Sequence, residues 1–496
     1  VRSAVVNGKE CAGIDSSGRR GANFHAWEND AHVAFGIRHY AEQWQDAGLQ
    51  ATADGILRLT QQAPRRQGAF PCVYNFNAGR YEGTLFWTAR AADFRDGYDA
   101  AAMGVTTWWT LYWLEHFAGS GESLDNAIAY ARFLAAQQLP SGAIPTYFTQ
   151  NLVPCRQLRE SATTAISGAV LAKVARLTGD AALARAAERA GHFVAERAIA
   201  TLRYDDFEAY YSCSPKPLHA LDYWTGIPAH DTLAIQWACD HMLALHRLEG
   251  GSDWLALGER ALSTLSLYQQ VWNPAHRSGY LYGGFGVMNT DGEWNDGRQA
   301  RFVPTYADYY AATGHLEYLE RAIAACRASF ALMDIPENHA NDINQMVAGR
   351  NLNVSQAAGG RAEPGQGYAG ENIHHSGRED HTAAWTGMNW SSGGGLAASA
   401  YLERLFGSAW IDGAQKTFVP IDGLNGAIDG WEGRVLTIRV DSALKRLAAP
   451  SPGRREIVLK FGRMGEGRYT VLVNGVPFPD QSAADLGRGL TLTLQQ

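Results

Sequence analysis

No CxxC or CxxH pair occurs in this 496-residue chain, and its six cysteines, at 11, 72, 155, 213, 239 and 326, stand far apart. A zinc knuckle is thereby excluded, because structural zinc sites draw their ligands from closely spaced pairs. Cys239 and Cys326 fall in apolar helical patterns and read as buried thiols, while the others are open to disulfide pairing in a connectivity that sequence does not fix. A basic stripe is missing too. Net charge is -7 and the Arg-Arg pairs beginning at Arg19, Arg65 and Arg454 are isolated. That argues against nucleic acid, whose phosphates demand a basic surface. No apolar run approaches the roughly 20 residues needed to cross a bilayer. The chain opens at Val1 without a charged-then-apolar leader, so a leader is expected to be absent, removed or trimmed away. The compartment stays open, with a periplasmic or secreted setting favoured over a cytoplasmic one, and so does the oligomeric state.

What is present is a large core and many rings. Hydrophobic residues make up 46% and charged residues 19%, which supplies a sizeable interior and speaks against wholesale disorder. Fifteen tryptophans, 21 tyrosines and 18 phenylalanines are a heavy aromatic load. Some fill the core. Flat rings also present a face to the CH-rich side of a pyranose, so the excess tilts the reading toward carbohydrate.

Amphipathic runs come in pairs. Ile166, Val170, Val174 and Leu177 repeat at helical spacing, the run stops at Gly179-Asp180, and a second carries Leu183, Ala187, Ala190 and Val194. Similar pairs lie near 28–46 and 48–63, 98–118 and 122–138, 228–248 and 252–271, and 300–313 and 315–333. A last helix is expected over 382–406, interrupted or started late by the glycines at 393–395. Trp108, Trp109, Tyr112 and Trp113 read as inner-helix packing, with one of them a candidate sugar platform. Past Gly407 the period changes to two: Leu436, Ile438 and Val440 share one face, Ile457, Leu459 and Phe461 another, and Asn474-Gly475 signals a hairpin turn. Two domains are expected, 1–407 and a β-sandwich-like 408–496.

A helix pair recurring roughly every 60–75 residues must stack or close to bury its core, and about six pairs close into a ring. With the Gly-Pro-aromatic loops GAFPCVYNF (68–76), GAIPTYF (142–148) and GYLYGGFGVMN (279–289), the region 25–407 resembles the (α/α) toroid of many glycoside hydrolases and polysaccharide lyases. The resemblance is architectural and rests on no family signature. It implies a mainly α fold, an (α/α)6-type toroid of helical hairpins with a small C-terminal antiparallel β domain. It further implies an active site at one end of the ring, in loops joining each outer helix to the next inner one.

The chemistry concentrates in such loops. GENIHHSGREDHTAAWTGMNWSSGGG (370–395) gathers Glu371, His374, His375, His381, Trp385, Asn389 and Trp390, more titratable and hydrogen-bonding groups than a purely structural stretch collects. Asp291, Glu293 and Asp296 flank Trp294 in NTDGEWNDGR, followed by Arg298. Glycoside hydrolysis needs one carboxylic acid for the leaving oxygen and one carboxylate for water or the anomeric carbon. Such partners usually come from different loops, so Glu293 or Asp291 pairs with Glu371 or Asp222. Trp294 can raise a neighbour's pKa by desolvation. The bland alternative is that Asp296 caps the following helix. Glu82, Arg90, Tyr211, Trp224 and His230 complete the candidate substrate-binding set, and the arginines and histidines point to an acidic sugar such as a uronic acid in one subsite.

The leading expectation is therefore a glycoside hydrolase acting on a poly- or oligosaccharide through Asp/Glu acid–base catalysis. The runner-up is β-elimination on a uronate polymer, in which His374, His375 or Tyr211 acts as base and Asn389, Arg378 and the histidines neutralise the carboxylate. A third reading is a sugar-binding protein without catalysis. His374, His375 and His381 match no zinc spacing, so neither metal nor cofactor is expected.

Overall fold

The computed structural model describes residues 1–14, 22–23, 29–83, 97–117, 121–211, 216–217, 220–273, 280–290, 292–333, 335, 372–374, 392–442 and 454–495. The chain divides into two compact units, Val1–Asp334 with Asn344–Ala398, and Ile335–Ile343 with Ser399–Gln496. The expected boundary after 407 falls a few residues beyond this division, just past the end of the last long helix.

Helix pairs build the first unit. They are α1 (Asp30–Trp44) with α2 (Ala47–Gln61), α3 (Ala100–His116) with α4 (Gly121–Gln137), and α5 (Thr164–Thr178) with α6 (Ala181–Val194). After the short α7 (Phe207–Tyr211) come α8 (Thr232–Glu249) with α9 (Ser252–Ser266), and α10 (Phe302–Thr313) with α11 (Leu316–Ala331). The final helix α12 spans Gly393–Phe406, a late start at the glycines, while 382–391 lies outside the described residues.

Burial separates the two members of each pair. From Ala100 to Trp113 in α3, Thr164 to Ala175 in α5, Thr232 to Leu245 in α8 and Phe302 to Tyr310 in α10, every residue is buried. A helix that is hidden all round belongs inside. By contrast, α6 hides Leu183, Ala187, Ala190 and Val194 and leaves Arg185 and Arg189 in solvent. Gly179 ends α5 in the left-handed conformation (φ 72°), and the Asp180 side chain then caps α6.

Neighbouring inner helices pack in the order α1, α3, α5, α8, α10, and α12 closes the circle. A Cβ on Gly36 of α1 would stand 2.8 Å from the Ala397 amide of α12, and one on Gly394 would stand 3.2 Å from Ala300 Cβ at the entry to α10. The fold of this unit is therefore an (α/α)6-type toroid. Trp108, Trp109, Tyr112 and Trp113 are all buried inside it. Lys173 lies over the Trp108 and Tyr112 rings at 4.4 and 3.8 Å, so those faces are taken up internally rather than offered to a sugar.

Short strands decorate the ring. β1 (Arg2–Val6) and β2 (Lys9–Gly13) form a hairpin about Asn7 and Gly8, whose φ values are 51° and 75°. β3 (Ala22–Asn23), β4 (Val73–Asn75) and β5 (Arg80–Glu82) make a three-stranded sheet, β6 (Tyr98–Asp99) pairs with β7 (Tyr147–Phe148), and β8 (Glu293–Asp296) pairs with β9 (Asn372–His374).

The second unit holds β10 (Ala409–Asp412), β11 (Thr417–Pro420), β12 (Leu424–Glu432), β13 (Val435–Ser442), β14 (Arg454–Gly462), β15 (Arg468–Val473), β16 (Val476–Pro477) and β17 (Gln481–Ser482), followed by α13 (Ala483–Arg488) and β18 (Leu490–Gln495). Two sheets, ordered β11-β10-β14-β18 and β12-β13-β15-β16, share one core. Pairing is antiparallel except for β10 with β14 and β13 with β15. Leu436, Ile438, Val440, Ile457, Leu459 and Phe461 point inward together, which is the period-two pattern realised. Asn474 and Gly475 turn with φ 52° and 79°, and the Asn474 side chain binds both the amide and the carbonyl of Val440.

Cys11, Cys72, Cys155, Cys239 and Cys326 are all buried, and Cys213 lies outside the described residues. Among the described residues no helix is long and apolar enough to cross a membrane.

Candidate active site

The inner helices begin at one end of the ring, and several begin with a buried cap. Asn29 accepts from the Ala31 amide, Asp99 from Ala101 and Ala102, Asp231 from Leu233, and Asp296 from Arg298. Each cap satisfies amides that the first helical turn leaves without partners. Burial alone pushes Asp99 up to about 7.

Two of these caps also belong to a charge cluster. Arg298, 2% exposed, donates from Nη1 to Glu208 and to Asp231 (2.8 Å), and from Nε to Asp296 (3.0 Å). Asp206 stands beside them, its Oδ1 accepting from the Glu208 and Ala209 amides at 2.9 and 3.2 Å, while its buried Oδ2 has no partner among the described residues. Three carboxyl groups thus share one guanidinium, with the Asp206 carboxyl beside them, in a dry environment where an isolated negative charge is costly. Burial pushes Asp206 up to about 8, aided by the Glu208 charge, and pushes Asp231 up to about 7, aided by Asp206. Burial also raises Glu208 well above the ordinary range, against the pull of Arg298. The cluster therefore keeps protons at neutral pH. Among the described residues no three His, Cys, Asp or Glu side chains are placed to hold a metal ion.

The cluster anchors the strand that carries the sequence candidates. Asp296 is the last residue of β8, which pairs with β9 in the register Glu293↔His374, Asn295↔Ile373 and Asp296↔Asn372, with an irregularity between Glu293 and Asn295. Asn295 is buried and donates to Tyr280 O at 3.4 Å, and Trp294 is half-buried. Nearby, Asn289 accepts from the His230 amide and donates to Pro228 O, both at 3.0 Å, tying the approach of α8 to the approach of β8. His230 is buried, with Nδ1 3.2 Å from Leu202 O and Nε2 against the Tyr268 hydroxyl. Burial pulls its pKa down to about 4, so the imidazole is neutral at physiological pH.

The remaining candidates are distributed as follows. Glu82 sits half-buried on β5 and accepts from Asn75 (3.1 Å) and Arg80 (3.2 Å). Asp222 lies in an exposed turn that its own carboxylate closes by accepting from the Thr225 amide (2.9 Å) and hydroxyl (2.5 Å), and these hydrogen bonds hold its pKa down. Tyr223 and Trp224 project beside it, 86% and 87% exposed, with ring centroids 5.0 Å apart. Only the backbone is described for Tyr211, Glu293 and His374, while Arg90, Asp291, Glu371, His375, His381, Trp385, Asn389 and Trp390 lie outside the described residues. Sequence reasoning did not single out Asp206. Its signal is the YDDFE run, in which one aspartate caps α7 and so ends up buried beside Glu208.

Deeper in the ring a second polar group fills the interior. Lys173 pairs with Glu115 at 2.7 Å, Asp308 takes Arg247 at 3.0 Å and the Tyr112 hydroxyl at 3.4 Å, and Asp240 takes Thr305 at 2.8 Å and Gln236 at 3.1 Å. Burial lowers the Lys173 pKa and raises that of Asp240 to about 7.

No protein-family model matches the chain, and no match to it is found among curated proteins. Among solved structures it is similar to the cellobiose 2-epimerase from Spirochaeta thermophila DSM 6192, with a TM-score of 0.50 at 9% identity over 79% of this chain and 89% of that one. The cellobiose 2-epimerase from Bacillus thermoamylovorans B4167 gives 0.47 at 10% identity, covering 78% and 89%. The GH76 alpha-mannanase from Bacteroides thetaiotaomicron gives 0.45 at 12%, covering 77% and 86%. At such identities the likeness to the Spirochaeta protein is one of fold, a ring of paired helices.

Proposed function

We propose that the protein is a carbohydrate-active enzyme, a glycoside hydrolase that cleaves a glycosidic bond in a poly- or oligosaccharide containing uronic acid. The observation that carries this reading is the β8–β9 ladder. It joins the acid-rich segment ending at Asp296 to the segment that follows Glu371, at the capped end of the inner helices, although the two are far apart in the chain. In this reading Glu293 and Glu371 are the catalytic carboxyl groups. One protonates the departing oxygen, and the other acts on the anomeric carbon or on the attacking water. Trp294 follows Glu293 in β8, and this reading gives it the part of drying the general acid. The Arg298 cluster acts on neither sugar nor water. It pins the end of β8 through Asp296, so that Glu293 is presented from a rigid element. The projecting Tyr223 and Trp224 rings offer stacking faces for further sugar units.

The test is a panel of uronic-acid polysaccharides assayed for both new reducing ends and ultraviolet absorbance. Reducing ends without absorbance, together with a loss of several orders of magnitude in turnover for Glu293→Gln and for Glu371→Gln in folded protein, is the expected result. Near-normal turnover in both variants ends the assignment. An absorbing, unsaturated product would mean elimination, with His375→Ala and Tyr211→Phe as the inactive variants. Saturable binding with neither product would mean a sugar-binding protein.

A further inference from the structure

We infer that the recess beside β5 is a subsite for the carboxylate of an acidic sugar. The inference rests on the saccharide reading above and assigns the substrate class at one place. The recess has a volume of about 670 Å³ and is lined by Arg65, Arg66, Arg80, Glu82, Tyr98 and Gln150, among others. A pocket of that size is within the usual range for small-molecule sites. Its position follows from the hairpin order. Arg65 and Arg66 lie in the link from α2 to α3, Tyr98 immediately precedes the Asp99 cap of α3, and Gln150 lies in the link from α4 to α5. Both links run from an outer to an inner helix, so the recess opens at the same end as the β8–β9 ladder.

Its charge is unbalanced. Glu82 is the one carboxylate among these six lining groups, and it is engaged by Arg80 and Asn75. Arg65 and Arg66 have no carboxylate partner among the described residues. Arg66 instead donates to Gln150 O and to Asn151 Oδ1 at 3.3 Å. Arg65 lies 4.2 Å over the Phe70 ring and reaches Gly68 O at 3.4 Å, and its buried Nε–H has no acceptor among the described residues. Burial pulls its pKa down to about 10, which still leaves it charged at neutral pH. A guanidinium held part-buried without a counter-ion is an incomplete arrangement, because its planar fork matches a carboxylate. A uronate carboxyl supplies the missing counter-charge to Arg65 and Arg66, with the Tyr98 ring at the wall of the same recess.

The experiment is calorimetric titration of the full chain with a panel of uronate trisaccharides, their carboxyl-reduced neutral counterparts, and inorganic phosphate. Wild type is expected to bind at least one uronate trisaccharide about tenfold or more tightly than its neutral counterpart, the size of effect a lost charged hydrogen bond produces. Arg66→Gln and Arg65→Gln are each expected to abolish that preference while leaving neutral-sugar affinity in place. Arg66 is the more exposed of the two, so its variant reports on binding if Arg65→Gln folds poorly. Absence of any uronate preference in wild type, its persistence in Arg66→Gln, or phosphate binding as tight as the trisaccharide would each overturn the subsite. Glu293→Gln separates the two proposals. If it turns over normally while Arg66→Gln loses the preference, the catalytic assignment fails and the subsite stands.

Discussion

Arg298 shows how one residue can be legible as important and illegible as to why. Its neighbourhood in NTDGEWNDGR marks it as a substrate contact, whereas the structure gives its guanidinium to Glu208, Asp231 and Asp296 in a dry cluster. Asp296 combines the capping role open to any aspartate before a helix with a local ion pair to Arg298, whereas Asp231 and Glu208 come from distant segments. The partners lie 67 and 90 positions away, and sequence spacing carries no information about such pairings. Replacing Arg298 by Met leaves carboxyl groups buried without their cation. We expect a loss of about 3–5 kcal/mol in unfolding free energy, read from denaturant midpoints. A change below about 1 kcal/mol, the range of an exposed pair, would show that the cluster is hydrated.

Elements were easier to read than sites, because a helix announces itself over many residues. The period of 3.6 in the pairs 28–46 with 48–63 through 300–313 with 315–333 corresponds to α1 with α2 through α10 with α11. Alternation at 436–440 and 457–461 corresponds to β13 and β14. The amino-terminal hairpin was missed, although Asn7-Gly8 between two short runs is the signal that finds such turns. Closure into a ring was legible in the count of pairs, but the contact that makes it was not: a glycine inside a helix looks like a weakness until its neighbour is known. A methyl group on Gly36 would meet the Ala397 amide at 2.8 Å and Leu396 Cγ at 2.9 Å. Backbone cannot step aside as a side chain does, so Gly36→Ala is expected to cost about 1–3 kcal/mol despite its better helix propensity. An unchanged or raised melting temperature would mean that α1 and α12 are less tightly joined than they stand here.

At the scale of the whole molecule, buried titratable groups set the pH response. Folding raises Asp206 to about 8 and Asp99, Asp231 and Asp240 to about 7, whereas unfolded aspartates ionise near about 4. The folded chain therefore binds the extra protons, and these groups make stability fall as pH rises from about 4 toward 8. His230 and His241 are pulled down to about 4 and 3. They act in the opposite sense, but only below about 6.5, where unfolded histidine titrates. Above that the raised carboxyl groups, the aspartates with Glu208, carry the trend among the described residues. The melting temperature is expected to drop between about pH 6.5 and 8, and Asp206→Asn to flatten the upper part of the drop. A rise over that interval would contradict the burial of the cluster.

Gly36 and Ala397 are 361 positions apart, yet each is the other's neighbour in the finished circle. At about 5–20 residues per second on the ribosome, the first helix emerges roughly 20 to 70 seconds before its last neighbour exists. During that interval its apolar flank has only water or a chaperone against it. Fragments that end before Gly393 are accordingly expected to be sticky, and newly made chain is expected to need holding until Gly393–Phe406 has been made.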